Sequence, residues 1–196
     1  MRMDAARVLL RSESPLVWLF YGDSITQGVR HTEGFRDYTQ LFAERVRFEM
    51  GRRTDIVINT AISGQTTQEL LEGFDWRVGR IAPDVVFLMS GMVDCGGAKS
   101  IPIRQFEENL HALCRRMRDL KAQVVLQTST PIVPGKVTFR EPHLPAYTEV
   151  LRHVSGKLAL PLIDHDRHWR AQPGGFAAWD AADGYHPNAA GHAAIA

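Results

Sequence analysis

Three residues near the two ends of the chain are suited to nucleophilic catalysis. Ser24 follows Gly22 and Asp23 directly after an apolar run, while Asp183 and His186 lie in the stretch DGYHP near the C-terminus. A serine hydroxyl is a weak nucleophile until a base takes its proton, and a histidine base needs a carboxylate or carbonyl group to hold it in one tautomer. These residue types predict a serine–histidine–aspartate arrangement if the fold brings the two ends of the chain together.

Short apolar runs that alternate with helical patterns predict how the two ends meet. The predicted strands are 16–21, 55–59, 84–89, 123–128 and 160–164, and the predicted helices are 35–50, 66–80, 106–122 and 144–158. Strands and helices in this order favour right-handed crossovers and a parallel sheet between two layers of helices. Ligands of such sheets bind outside the carboxyl ends of the strands, where Ser24 and the polar turns after the second and third strands are expected to lie.

The composition is that of a globular protein and excludes several classes. The 196 residues carry a net charge of +1 and 44% are hydrophobic, which predicts a single domain over 1–196 with a sizeable core. A nearly neutral chain is not expected to bind nucleic acid through a basic surface. No apolar stretch approaches the roughly 20 residues of a membrane span, and the N-terminus shows no signal-peptide pattern, so we expect a cytoplasmic protein. The sequence does not indicate an oligomeric state.

The order of the polar motifs resembles that of the SGNH, or GDSL, hydrolase superfamily over nearly the whole chain, from Gly22 to Pro187. GDSITQG is similar to the family's first block, ISGQTT to the second and DGYHP to the closing DxxH block. The stretches FDWR and GMVDC resemble a bacterial esterase-like subgroup. The tripeptide GDS is common, but GDS after a strand combined with DxxHP near the C-terminus is a specific signal. The chain also lacks the GxSxG motif of the α/β-hydrolases.

The resemblance implies a role for each of four residues. Ser24 would be the nucleophile, His186 the general base and Asp183 its orienting partner, and the backbone amides of Ser24 and Gly64 would form an oxyanion hole. The resemblance also implies a flavodoxin-like three-layer α/β/α sandwich with a five-stranded parallel sheet. It implies hydrolysis of a small-molecule acyl ester through an acyl-enzyme, without a metal or an organic cofactor.

The third block departs from the family pattern. The family's GxND sequence contains an asparagine that donates a hydrogen bond to the oxyanion, whereas this chain has Gly91, Met92, Val93 and Asp94. Valine has no donor, and in subtilisin the loss of one such donor costs about 10² to 10³ in turnover. We therefore expect a slowed serine esterase, with a natural weak variant, an engineered change and a different donor group as open explanations. The alternative is a catalytically feeble protein of the same fold that binds an acyl or glycan ligand.

Several polar residues near the predicted edge favour structural roles. Asp23 is expected to hydrogen-bond the turn around Ser24, and Asp94 is expected to brace its own loop. The cluster 164–168, with the sequence DHDRH, matches no zinc motif, so it is predicted to be a polar loop near the active-site edge rather than a metal site.

The walls of the predicted site are less strongly specified. The proline-rich stretch 130–145 is predicted to be a long loop over one end of the sheet. This loop, together with Met92, Val93 and Tyr185, is expected to shape an acyl pocket. The C-terminal stretch AAGHAAIA predicts a helix that breaks off in its first turns, so we expect the natural chain to continue beyond Ala196.

Other nucleophile and cofactor chemistries are disfavoured. Cys95 and Cys114 form no CxxC pair, which argues against a disulfide scaffold and a zinc ribbon. No second histidine–carboxylate pair is evident that could activate Cys95. No glycine-rich phosphate motif follows a strand, which disfavours a cofactor-binding protein of the flavodoxin type.

Overall fold

The computed structural model describes residues 14–28 and 34–196 and contains the predicted parallel sheet. The strands are Val17–Gly22 (β1), Ile56–Asn59 (β2), Val85–Met89 (β3), Gln123–Gln127 (β4) and Leu162–Ile163 (β5). They are ordered β2-β1-β3-β4-β5, and every neighbouring pair is parallel. The prediction of a five-stranded, flavodoxin-like sheet is therefore confirmed. β5 is shorter than predicted because Pro161 has no N–H group to donate to the ladder.

The helices lie in two layers on either side of this sheet. They are Ser24–Gln27 (α1), Tyr38–Phe48 (α2), Thr67–Glu72 (α3), Ile103–Asp119 (α4), Leu144–Leu158 (α5), His165–Arg170 (α6) and Ala189–Ile195 (α7). α4 packs against both α3 and α5, whereas α2 packs against β2 and α7. This is the predicted three-layer α/β/α architecture. Among residues 14–28 and 34–196, no helix combines the length and the apolar character needed to cross a bilayer.

The predicted continuous helix 66–80 is wrong, because the helix breaks at Gly73. α3 ends at Glu72, and residues Asp75–Gly79 form a separate π-helical turn. Glycine is a poor helix former, and a Cβ atom at Gly73 would collide with the guanidinium of Arg77. That guanidinium is buried, and it donates to the Gln65 side chain at 2.6 Å and to the Glu69 carbonyl at 3.0 Å. The break therefore makes room for a buried arginine beside the loop that follows β2.

Apolar side chains cover both faces of the sheet, as the continuous apolar strands predict. On one face, Phe20 of β1 stacks on Phe87 of β3 with ring centroids 4.7 Å apart, and Tyr38 of α2 meets Phe20 edge-on. On the other face, the hydroxyl of Tyr21 donates to the Leu70 carbonyl of α3. Successive residues of β1 therefore anchor opposite helix layers, which fixes the position of its carboxyl end.

The proline-rich stretch forms the predicted irregular loop, which ends where α5 begins at Leu144. Its first residues are buried, and the amide of Val133 donates to the Gly184 carbonyl at 2.8 Å. Farther along, the Glu141 carboxylate accepts a hydrogen bond from the amide of Gly135 at 2.8 Å. The loop therefore packs against the DGYHP segment, at the carboxyl-end edge of the sheet.

Candidate active site

Ser24 is positioned by a tight turn between β1 and α1. A Cβ atom at Gly22 would collide with the Met89 carbonyl of β3, so the last residue of β1 has to be glycine for the two strands to come this close. Asp23 caps α1, because its Oδ1 atom accepts a hydrogen bond from the amide of Ile25 at 3.1 Å. Ser24 is thus the first residue of α1, at the point where the strand order of the sheet reverses.

His186 and Asp183 meet Ser24 in a continuous chain of hydrogen bonds. The Nε2 atom of His186 lies 2.7 Å from the Oγ atom of Ser24. The Nδ1 atom of the same ring lies 2.6 Å from the Oδ2 atom of Asp183. A carboxylate accepts hydrogen bonds, so Nδ1 carries the proton and Nε2 presents its lone pair to the serine hydroxyl. The three residues that the sequence singled out are therefore in contact.

The Asp183 carboxylate is held by the backbone of its own turn. Its Oδ1 atom accepts hydrogen bonds from the amides of Tyr185 at 3.2 Å and His186 at 3.0 Å. Burial raises the pKa of Asp183, but the hydrogen bonds from the His186 ring and backbone outweigh this influence and hold the pKa below its ordinary value. Asp183 is therefore ionised and oriented before any substrate binds.

The loop after β2 places Gly64 beside the Ser24 turn. The amide of Ile62 donates to the Gly22 carbonyl at 3.2 Å, and the amide of Ser63 donates to the Gln27 side chain at 2.8 Å. Gly64 has a φ of +75°, which favours glycine, and the space above its Cα is open. Within the described part of the chain, neither the Ser24 amide nor the Gly64 amide donates a hydrogen bond. Both amides are therefore available to an acceptor atom at this edge.

Val93 and Asp94 occupy the loop after β3. The Val93 side chain is only 5% exposed, yet it does not belong to the hydrophobic core cluster. The Asp94 side chain is fully buried, and its Oδ1 atom accepts hydrogen bonds from the amide and hydroxyl of Thr67 at 2.8 and 2.6 Å. Asp94 thus ties the third block to the start of α3. A hydrophobic side chain stands where an amide donor was expected from the family pattern.

Asp23 is a buried carboxyl group next to the serine. Burial raises its pKa to about 7, and the charge of Asp94 acts in the same direction, while the Ile25 amide and the charge of Arg140 oppose the increase. The Oδ2 atom has no hydrogen-bond partner among the described residues. Asp23 therefore gains its proton near neutral pH rather than near pH 4.

Cys95 lies in the same loop but is not poised as a nucleophile. It is buried, and its Sγ atom donates to the Met92 carbonyl at 3.3 Å. Burial raises the pKa of the Cys95 thiol to about 12. Since the thiolate is the reactive form of cysteine, this thiol is inert at neutral pH.

The cluster 164–168 is not the loop that was predicted. Asp164 caps α6, which contains the other four residues of the cluster. The carboxylates of Asp164 and Asp166 form ion pairs with Arg152 at 2.8 and 3.0 Å. In the described part of the chain, no group of three or more His, Cys, Asp or Glu side chains is arranged to hold a metal ion. The charges of this cluster therefore join α6 to α5.

One residue beside the site carried no sequence signal. Arg140 belongs to the proline-rich loop, and its guanidinium carbon lies 5.1 Å from the ring centre of Tyr185. The Tyr185 ring in turn packs on the His186 ring, with centroids 4.1 Å apart. Tyr185 was expected near the pocket, whereas Arg140 stands in no recognisable motif. Only the tertiary contacts of the loop place this arginine beside the site.

Comparisons with known proteins give one family match, one curated relative and two similar solved structures. The sequence model of the GDSL-like lipase/acylhydrolase family matches residues 20–194. The uncharacterized lipoprotein YqeF of Bacillus subtilis (strain 168) is 27% identical over 184 residues, which cover 82% of this chain and 75% of that protein. The crystal structure of a lipase/acylhydrolase from Enterococcus faecalis is similar with a TM-score of 0.80 at 25% identity, over 92% of this chain and 91% of that one. A catalytic mutant of an acetylxylan esterase from Geobacillus stearothermophilus shares the fold with a TM-score of 0.77 at 22% identity, over 93% and 91% of the two chains.

Proposed function

The chain belongs to the GDSL-like lipase/acylhydrolase family, and from this premise we propose that it is a serine esterase with Ser24 as nucleophile, His186 as general base and Asp183 as the residue that orients the base. Family and fold both support the hydrolysis of acyl esters. The observation that carries the finer proposal is the chain of contacts from Ser24 through His186 to Asp183, at 2.7 and 2.6 Å.

In the first half of the reaction, the ester acylates Ser24. His186 Nε2 takes the hydroxyl proton as Oγ attacks the ester carbonyl carbon, and the resulting imidazolium is stabilised by the Asp183 carboxylate. Negative charge develops on the carbonyl oxygen, where the amides of Ser24 and Gly64 donate to it. The tetrahedral species then collapses, the bond to the alcohol oxygen breaks, and His186 returns its proton to the departing alcohol.

In the second half, water releases the acid. His186 Nε2 takes a proton from a water molecule as that water attacks the acyl carbonyl carbon. The same two amides stabilise the second oxyanion. When the bond to Oγ breaks, His186 returns the proton to Ser24, so the chain is regenerated and one ester has become one acid and one alcohol.

Val93 supports a second candidate function. Without a side-chain donor in the third block, the stabilisation of the oxyanion is reduced to two amides. A protein of this fold with very weak catalysis would then act by binding an acyl or glycan ligand at the same edge of the sheet. This candidate and the esterase differ in whether turnover depends on Ser24.

The decisive experiment measures hydrolysis of p-nitrophenyl acetate by the wild-type chain and by the Ser24→Ala variant. We expect the variant to lose the enzymatic rate, because its side chain has no hydroxyl to acylate. Ser63→Ala is a matched control, since Ser63 is an exposed serine on the neighbouring loop. Equal rates for the wild type and Ser24→Ala would overturn the esterase and favour the binding protein.

A second readout identifies the reactive atom directly. A fluorophosphonate phosphonylates an activated serine as fluoride leaves, and the phosphonyl group should increase the mass of the peptide that contains Ser24. The Asp183→Asn variant should react more slowly, because its base is no longer held in the right tautomer. Labelling of a different serine would contradict the proposed nucleophile.

A further inference from the structure

Arg140 carries a positive charge that forms no ion pair with a carboxylate among the described residues. Within residues 14–28 and 34–196, its one side-chain hydrogen bond runs from Nε to the Gly96 carbonyl at 3.4 Å. Glu141 accepts from the amide of Gly135, Asp180 accepts from the amide of Gly184, and Asp183 holds His186. The charge of Arg140 also acts on the buried Asp23, but no hydrogen bond or ion pair joins the two side chains. The terminal amino groups of Arg140 are therefore left for a partner from outside the chain.

The guanidinium is held in a defined place by its surroundings. Its central carbon lies 5.2 Å from the ring centre of Phe139 and 5.1 Å from that of Tyr185. A Cβ atom at Gly96 would collide with the Phe139 carbonyl and crowd the Arg140 side chain, so glycine is what allows this approach. The Arg140 carbonyl also accepts from the amide of Leu144 at the start of α5. An arginine fixed by aromatic rings and backbone loses little freedom when it binds an anion.

Arg140 lies on the side of the site where His186 would protonate the leaving alcohol. Tyr185 connects it to the His186 ring, on which it packs. The general acid has to reach the alcohol oxygen, so the alcohol portion of an ester lies on the His186 side of Ser24. In the proposed mechanism, the carbonyl oxygen of the ester is instead directed to the amides of Ser24 and Gly64. The positive charge of Arg140 also acts on the buried Asp23, next to the nucleophile.

We propose that Arg140 selects esters whose alcohol portion carries an anionic group, a carboxylate or a phosphate. The proposal rests on the proposed esterase function and names a substrate class for it. The planar guanidinium presents paired N–H donors that match the oxygens of both anions. Arg140 is partly exposed, so the anion remains in contact with solvent and the selection is a preference rather than an absolute requirement.

The test compares three acetate esters that share their acyl group. They are 4-acetoxybenzoate, 4-acetoxyphenyl phosphate and the neutral 4-acetoxybenzamide. The readout is the ratio of kcat/KM for each anionic ester to kcat/KM for the amide, measured with the wild type and with Arg140→Gln. The three esters differ in leaving-group reactivity. This difference cancels when the ratio for the wild type is compared with the same ratio for Arg140→Gln.

We expect Arg140→Gln to lower this ratio by about three- to tenfold for at least one of the two anions. The anion that responds identifies the natural class. Arg140→Lys keeps the charge without the paired donors and should retain part of the preference. High salt should weaken the wild-type preference, because it screens exposed charges. Arg115→Gln removes the same charge from an exposed position of α4 and should leave the ratio unchanged.

The outcomes separate this proposal from the proposed function. If hydrolysis depends on Ser24 but Arg140→Gln slows the anionic and neutral esters equally, Arg140 is a structural tie to Gly96 and the selection is overturned. Should turnover prove independent of Ser24, the selection is still tested by binding. The Ser24→Ala variant is titrated with 4-hydroxybenzoate, and binding is monitored by NMR. We expect this variant to bind the anion more tightly than the double variant that also carries Arg140→Gln. Equal binding with and without Arg140 would overturn the proposal.

Discussion

The Oγ atom of Ser24 lies 2.7 Å from the Nε2 atom of His186, although the two residues are 162 positions apart in the chain. Ser24 is held by the turn at the end of β1, and His186 by the segment that leads into α7. α7 is anchored in turn by a hydrogen bond from the Tyr38 amide to the His192 ring at 3.3 Å. The contact therefore depends on α2 and α7 packing together on one face of the sheet.

The Asp183→Asn variant should lose most of its esterase activity while keeping its fold. An asparagine amide facing Nδ1 favours the tautomer that carries its proton on Nε2, and this tautomer cannot take the proton of Ser24. The equivalent change in trypsin lowers turnover about 10⁴-fold, and we expect a loss of roughly 10² to 10⁴ in kcat here. Asp180→Asn is the matched control, because the Asp180 carboxylate accepts from the amide of Gly184, whereas the hydrogen bond to the His186 ring comes from Asp183. A loss below about tenfold would contradict the assigned role of Asp183.

The Val93→Asn variant should be faster than the wild type. It restores a side-chain donor at the position of the usual oxyanion-hole asparagine, and the buried setting of Val93 strengthens a hydrogen bond to developing charge. We expect kcat for p-nitrophenyl acetate to rise by about one to three orders of magnitude, on the subtilisin precedent. Val93→Leu branches at the γ position as asparagine does but has no donor, and it should show no gain. An unchanged kcat in the asparagine variant would mean that another group completes the oxyanion hole.

The Asp23→Asn variant should lose the contribution that Asp23 makes to the pH dependence of stability between about pH 4 and pH 7. The pKa of Asp23 rises from 3.8 in the unfolded chain to about 7 in the fold, so the folded state keeps a proton that the unfolded state has already lost. The resulting stability is fully present below pH 4 and is lost as the pH rises to 7, by up to a few kcal/mol. Urea denaturation at pH 4.5 and pH 7.0 measures this loss. Identical losses in the wild type and the variant would refute the buried, proton-retaining state of Asp23.

His165 should make the opposite contribution in the acid range. Burial lowers its pKa to about 4, and its Nε2 atom has no hydrogen-bond partner among the described residues. In the unfolded chain His165 takes up a proton near pH 6.5, whereas in the folded chain it does so only near pH 4. Its contribution to the free energy of unfolding is therefore fully present above pH 6.5 and is lost as the pH falls toward 4. The loss is roughly 2 kcal/mol at pH 5.

The His165→Leu variant should therefore resist acid better than the wild type. Leucine has no titrating group, and it suits the apolar neighbours of β5. Urea denaturation at pH 5.0 and pH 7.0 should show a smaller difference for this variant than for the wild type. The control is His153→Leu, which removes an exposed histidine. If both variants behave alike, burial of His165 is not the source of the acid sensitivity.

Much of the fold and of the candidate site could be predicted because the relevant signals are local. A run such as residues 85–89 is apolar throughout because β3 is covered on both faces, and α5 spans the predicted 144–158. Parallel strands direct their carboxyl ends to one edge of the sheet, so the predicted sheet alone places Ser24 and the turns after β2 and β3 at this edge. The motifs then identified Asp183 and His186 as partners for Ser24.

The errors occurred where the packing of a charged side chain changed the local structure. The pattern of residues 66–80 is helical, but the buried guanidinium of Arg77 occupies the space beside Gly73. The sequence of residues 164–168 is typical of a polar loop. In the structure, ion pairs with Arg152 on α5 hold Asp164 at the N-cap of α6 and Asp166 inside this helix. The ion pairs of Arg152 join positions that no local pattern connects.

By itself, the sequence determined the alternation of strands and helices that forms a parallel sheet between two helix layers, and it singled out Ser24, Asp183 and His186, because periodicity and short motifs are local properties of a chain. Only the tertiary structure decided the proton on Asp23, the unpaired charge of Arg140 and its connection to His186 through Tyr185. Protonation depends on burial, and the availability of a charge depends on every neighbour that could neutralise it. Both are sums over contacts between residues far apart in the sequence, so they exist only once the chain is folded.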